Sequence, residues 1–150
     1  GQGAGMIALL QRVSRARVLV EGQVVGEIGR GVLVFLAVER GDGAAKAAAL
    51  ASKVRALRMF PSEKGRMDLN VDQVGGAILV VSQFTLAASC REGNRPSFDP
   101  AAPPEEAERL YEDFVAQIKK GPAPVGTGKF RAMMEVDLVN DGPVTFLLQA

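Results

Sequence analysis

Residues 32–38 read Val-Leu-Val-Phe-Leu-Ala-Val, seven apolar residues without a polar break, and residues 77–81 repeat the pattern as Ala-Ile-Leu-Val-Val. A half-exposed strand alternates apolar and polar side chains, so an unbroken run rich in β-branched residues is a strand covered on both faces. Two such strands require apolar layers on either side of one sheet. Two helical patterns supply part of the cover. Residues 44–57 set Ala47, Leu50, Ala51, Val54 and Leu57 on one face, with Asp42 as the expected N-cap. The second helix opens on Pro103-Pro104-Glu105-Glu106 and lines Ala107, Leu110, Tyr111, Phe114, Val115 and Ile118 along one face. It closes on Lys119-Lys120-Gly121, so proline and acid stand at its start, cations and a C′ glycine at its end.

The remaining segments read as strands and loops. Residues 6–13 form a first strand, and residues 15–20 and 23–28 alternate around a Glu21-Gly22 turn as a hairpin. Residues 58–60 are extended, residues 67–74 are a weakly patterned connection, and residues 91–102 are a polar, proline-containing loop long enough to suggest a functional role. A loop with one short strand spans residues 122–128, a long strand spans 130–139, and a last strand spans 144–148. The expected architecture is α/β and single-domain: mixed β-sheets layered in a barrel-like way, with two amphipathic helices on an outer face. At 150 residues the chain is long enough for one full core. Residues 1–5 read as an expression-tag remnant before Met6, which leaves 6–150 as the domain. No apolar run is long enough to cross a bilayer or act as a signal peptide, so a cytoplasmic protein without a membrane partner is expected.

The chain contains no histidine and a single cysteine, Cys90. Ser-His-Asp triads, Cys-His pairs, His-rich zinc sites and the usual general base near neutral pH are therefore excluded. Any catalysis rests on carboxylates, hydroxyls, backbone dipoles or the substrate. Asp68, Asp72, Asp137 and Asp141 show no metal-ligand spacing, and no phosphate-binding loop, dinucleotide fingerprint or zinc motif is present, so neither metal nor cofactor is expected. Ser82-Gln83-Phe84-Thr85-Leu86 follows a buried strand, where free N–H groups and hydroxyls can face a ligand and stabilise an oxyanion. Read alone, Ser82 and Thr85 are better taken as satisfying backbone groups at a strand end. Arg91, Asn94, Arg95, Lys129 and Arg131 are candidate phosphate contacts, while a net charge of +1 says nothing in favour of wide, sequence-blind nucleic-acid binding.

Near the C-terminus, Asn140-Asp141-Gly142-Pro143-Val144-Thr145 lies between two apolar runs. Taken alone it is an ordinary hairpin turn. An X-Pro bond is also the one peptide bond whose cis form is cheap, about 0.5–1 kcal/mol above trans, so the pair offers bare backbone in an unusual geometry.

Four blocks then occur in order. They are Gln11-Arg12-Val13-Ser14-Arg15-Ala16, Val80-Val81-Ser82-Gln83-Phe84-Thr85-Leu86, Gly93-Asn94-Arg95-Pro96-Ser97-Phe98 followed by Ala101-Ala102-Pro103-Pro104-Glu105, and Leu138-Val139-Asn140-Asp141-Gly142-Pro143-Val144-Thr145. Together they resemble the D-aminoacyl-tRNA deacylase family, also called D-tyrosyl-tRNA deacylase, over essentially residues 6–148. The resemblance implies a homodimeric, proofreading hydrolase that cleaves the ester joining a D-amino acid, or glycine, to the 3′-terminal adenosine of tRNA, with its active site at the subunit interface.

It further implies a cis Gly142-Pro143 pair that reaches into the partner's pocket as a chiral filter. Ser82, Gln83, Phe84 and Thr85 would form the catalytic wall, with Arg12 as a brace behind the turn. Phe130 would lie against substrate, and Arg91, Arg95 and Lys129 would contact RNA. With no histidine, the terminal ribose 2′-OH is the natural proton relay, and Thr85 is expected to donate a hydrogen bond rather than attack. Two departures stand out: Ala87-Ala88-Ser89 where the family commonly has Tyr-Ala-Asp, and Phe130-Arg131-Ala132-Met133-Met134 where it has Phe-Gly-Ala-Asp-Met. Three rivals are an editing deacylase of relaxed chirality, a non-catalytic RNA-binding module and a small-ester or peptide hydrolase using Thr85.

Overall fold

The computed structural model describes residues 5–150. The tag-remnant expectation therefore falls outside the described residues except at Gly5, whose N–H donates to Glu39 Oε1 at 3.0 Å. The elements run β1 (Ile7–Val20), β2 (Gln23–Ile28), β3 (Gly31–Ala37), α1 (Ala44–Ala56), β4 (Phe60–Pro61), β5 (Met67–Leu69), β6 (Ala77–Ser82), a 3₁₀ turn (Phe84–Ala87), α2 (Pro104–Ile118), β7 (Val125–Thr127) and β8 (Glu135–Gln149).

One six-stranded sheet has the order β2-β1-β3-β6-β7, with β8 paired to β1, and β4 and β5 form a separate ribbon. The pairs β3–β6 and β6–β7 are parallel. Parallel neighbours need long crossovers, supplied here by α1 and α2. Both crossovers advance the same way along the sheet, and their shared hand puts both helices on one face.

The core divides accordingly. Val32, Val34 and Leu36 of β3 and Ile78 and Val80 of β6 pack with Leu50 and Val54 of α1 and Leu110 and Phe114 of α2. The intervening Leu33, Leu79 and Val81 point to the opposite face, where they meet Val13, Ala16, Val18 and Ile28. That second face is the inside of a nearly closed barrel. β2 meets β7 at the closure, and a Cβ on Gly26 would lie only 2.2 Å from the Thr127 carbonyl oxygen, so glycine is what lets the two edges approach.

Several local expectations are corrected. Residues 6–13 and 15–20 are not two strands but one, β1, whose two halves pair in turn with the same β8 across register shifts flanking Val13. Asp42 does not cap α1. It is buried, accepts the Glu39 N–H at 2.7 Å and pairs with Lys46 at 3.4 Å, which leaves the extended Gly43 at the N-cap. Gly121 is not a left-handed cap after α2; it is small because the Arg55 guanidinium sits 2.4 Å from where its Cβ would be. The strand expected over 130–139 starts only at Glu135, because Phe130 and Arg131 turn, with the Ala132 N–H reaching the Lys129 carbonyl at 3.2 Å.

The Asn140–Thr145 segment is not a hairpin turn either. The chain continues in one direction, since Asn140 pairs with Val13 and Thr145 with Gln11 on the same strand. Residues 141–144 therefore stand opposite Arg12 alone and bulge out of β8.

Candidate active site

β6 is apolar until Val81, and its last residue, Ser82, still pairs with Leu36 of β3. The Gln83 N–H donates to the Leu36 carbonyl at 2.8 Å, after which the chain leaves the sheet as the 3₁₀ turn. The first N–H groups of such a turn, those of Phe84 and Thr85, have no acceptor within it. Gln83 Nε2 donates to Thr85 Oγ1 in a short hydrogen bond, so the Thr85 hydroxyl hydrogen is left to donate elsewhere.

These residues form one wall of a cavity of about 550 Å³. The opposite wall is Phe130 with the loop through Met134, and the floor comes from Leu36, Val38, Val81 and Val136. The Phe130 ring lies 5.8 Å from that of Tyr111, and the Tyr111 hydroxyl donates to the Val80 carbonyl at 2.9 Å, which ties this wall to the strand leading into Ser82. Burial, with the Glu112 carboxylate adding to it, pushes the Tyr111 pKa up to about 12, so this hydroxyl stays a donor near neutral pH. The Phe84 ring, 57% exposed, leans on Phe98 at 5.2 Å and so joins the 91–102 loop to the site.

The structure thus brings Ser82, Gln83, Phe84, Thr85 and Phe130 together. Arg91 and Arg95 lie exposed on the 91–102 loop, and Lys129 borders a neighbouring cavity of about 480 Å³ that shares Phe130. Gly142, Pro143 and Arg12 do not line the 550 Å³ cavity of their own chain.

The bulge is held by a separate set of contacts. Its Gly142-Pro143 bond is cis, and Gly142 has φ +121°. Arg12, 9% exposed, donates through Nη1 to the Met59 carbonyl at 2.7 Å. Its Nε lies 3.1 Å from Asp141 Oδ2 without pointing at it, so that contact is ionic rather than a hydrogen bond. Phe60 lies beneath Arg12, with 6.0 Å from the guanidinium carbon to the ring centre. Asn140 Nδ2 donates to the carbonyls of Arg12 at 2.9 Å and Val144 at 3.0 Å, closing the neck of the bulge. Sequence reasoning treated Asn140 only as a turn former and missed this clamp. It also missed the Met133-Met134 lip, where Met133 is 92% exposed.

A sequence profile described as D-Tyr-tRNA(Tyr) deacylase matches residues 9–149. The chain belongs to the D-Tyr-tRNA(Tyr) deacylase family. It is therefore a hydrolase acting on ester bonds. Among curated members of the family, it is 60% identical over 144 residues to the D-aminoacyl-tRNA deacylase of Aeromonas hydrophila, covering 96% of this chain and 99% of that one. The D-aminoacyl-tRNA deacylase of Pelobacter propionicus is 56% identical over 144 residues, with 96% and 99% coverage. Among solved structures, one titled "c-Myc DNA Unwinding Element Binding Protein" superposes with a TM-score of 0.91 at 39% identity, covering 96% of this chain and 98% of its own. A probable eukaryotic D-amino acid tRNA deacylase shares the fold, with a TM-score of 0.79 at 18% identity over 97% of this chain and 99% of its own.

Proposed function

We propose that this chain hydrolyses the ester between a D-amino acid, or glycine, and the 3′-terminal adenosine of tRNA in the cytoplasm, releasing free amino acid and tRNA. Each active site of a homodimer is shared: the Gly142-Pro143 bulge of one subunit enters the 550 Å³ cavity of the other. The observation that carries this reading is the charge of the cavity lining. An aminoacyl ester brings an α-ammonium group, yet no carboxylate lines the cavity and its one charged residue is Arg131. A buried ammonium needs acceptors. The bulge offers backbone carbonyls on a braced, exposed support and has no pocket of its own to fill. The exposed Val139, Phe146 and Leu147 on the same strand are the apolar surface a subunit contact would cover.

With the ammonium on the bulge and the ester carbonyl against the N–H groups of Phe84 and Thr85, only one configuration at Cα avoids the wall. An L side chain is turned into it, whereas a D side chain meets nothing, so many D residues are accepted. Water then adds to the ester carbon, and the Thr85 hydroxyl and the backbone N–H groups hold the developing oxyanion. The bond to the ribose 3′-oxygen breaks, and the neighbouring 2′-OH relays the proton from water to that leaving oxygen.

Side-by-side hydrolysis of D-Tyr-tRNA, Gly-tRNA and L-Ala-tRNA tests the assignment. The first two are expected to be cleaved and the third spared. Equal rates on D and L esters, or tRNA binding with no turnover, would each refute it.

A further inference from the structure

Among the described residues only Glu21 and Arg131 have positive φ without being glycine. Glu21 sits at the tip of the β1–β2 turn, where it is exposed. Arg131, at φ +65°, sits on the rim of the catalytic cavity. A residue with a Cβ in the left-handed region is held there against its own preference, and such positions gather at functional sites. Its setting is also electrostatically one-sided. Arg131 is the one charged residue lining the cavity, and among the described residues its guanidinium has no ion pair or hydrogen bond.

We propose that Arg131 grips the phosphodiester on the 5′ side of the terminal adenosine and so determines affinity for the RNA end of the substrate. The inference rests on the deacylase reading. The ester seated at Phe84 and Thr85 places that phosphate one sugar away, toward the rim. A guanidinium fork matches two phosphate oxygens, and an exposed rim with no carboxylate leaves the cation uncompensated until an anion arrives. An acidic D side chain is the other anion available, but it points away from the wall and is absent from most substrates. The phosphate is common to all of them.

The test uses non-hydrolysable 3′-amide analogues of D-tyrosyl-adenosine, with and without a 5′-phosphate. The parent binds the phosphorylated analogue about tenfold more tightly. Arg131→Ala binds both equally, and Arg131→Lys keeps part of the preference. With D-Tyr-tRNA, Arg131→Ala raises KM about tenfold at little change in kcat, and the log–log dependence of KM on salt becomes shallower by about 0.7, as for one lost contact to single-stranded RNA. Arg131→Gly gives the same KM while Tm rises by about 2–4 °C, because glycine removes the φ penalty. An unchanged phosphate preference in Arg131→Ala overturns the proposal, as does a defect confined to D-Asp-tRNA and absent with D-Tyr-tRNA. If the parent fails to hydrolyse D-esters, the deacylase reading falls, and the analogue-binding arm still decides the role of Arg131.

Discussion

Replacing Gly142 by alanine puts a methyl group where there is no room for one. The new Cβ would lie 2.8 Å from Val144 Cγ2, 3.0 Å from Arg12 Nη2 and 3.2 Å from the Val144 nitrogen. At φ +121° an L residue also pays about 1–3 kcal/mol in backbone conformation, and the crowding adds roughly another 1–3 kcal/mol if nothing yields. Val144 is buried and Arg12 is fixed to Met59, so neither neighbour gives way easily. Residues 141–143 are exposed and looped out of the strand, so they are what moves. Relaxation there limits the loss of stability to a Tm decrease of a few degrees, on a scale of about 2–4 °C per kcal/mol for a chain of this size. The catalytic cost is larger, because a displacement of about 1 Å in a positioning group lowers rate by around 10²-fold.

The decisive assay mixes Gly142→Ala with Thr85→Ala protein under conditions of subunit exchange. Half the dimers are then mixed, and each mixed dimer holds one site with an intact bulge facing an intact wall, which restores about a quarter of the parent rate. If bulge and wall served the same subunit, mixing would leave the average of the two defective enzymes. That result, or a Gly142→Ala protein with the parent rate and the parent preference for D over L, would refute the shared site.

Two further outcomes are expected. Thr85→Ala loses one oxyanion donor and slows D-Tyr-tRNA hydrolysis by roughly 10²-fold without abolishing it; complete loss, with an acyl adduct trapped on Thr85 of the parent, would make Thr85 the nucleophile. Tyr111 is the chain's single tyrosine and there is no tryptophan, so tyrosinate absorbance reports on it alone. Its ionisation is expected near pH 12 when folded, against 10.0 for the free side chain. Between those values the unfolded chain has lost the proton that the folded chain keeps. The contribution is therefore complete below pH 10 and falls away as pH rises toward 12, by up to about 2–3 kcal/mol. An alkaline melting series checks this, and Tyr111→Phe should remove the tyrosinate signal.

The sheet and helices were legible because their signals are local. Unbroken apolar runs at residues 32–38 and 77–81 and one-sided spacing in α1 and α2 state burial directly. Caps were less legible. Asp42 is a good N-cap residue in isolation, but the Glu39 N–H captures its carboxylate, and Gly121 answers to Arg55, which lies far away in sequence. Residues 130–134 carry strand-like apolar content because Phe130 and Met134 line a cavity rather than a sheet face. In the same segment, the left-handed backbone of Arg131 belongs to the turn and leaves no trace in side-chain pattern.

The bulge shows why residue types alone misplace a site. Asn, Asp, Gly and Pro state that the chain bends, not which way it leaves the bend. Direction is fixed by β1, which is long enough at 14 residues to pair with β8 on both sides of the interruption, so the chain resumes its course and the excess residues are expelled sideways. Expulsion leaves residues 141–143 exposed, while the Val144 carbonyl is taken by Asn140 Nδ2. The cavity has the opposite deficiency: donors at Phe84 and Thr85, a cation at Arg131 and no acidic acceptor among its lining residues. A cationic α-ammonium entering that cavity unaided would be repelled by Arg131 and would meet no carboxylate, only neutral oxygens such as those of Ser82 and Gln83. The bulge does not line the cavity of its own chain, which is why the proposed shared site draws it from a second copy.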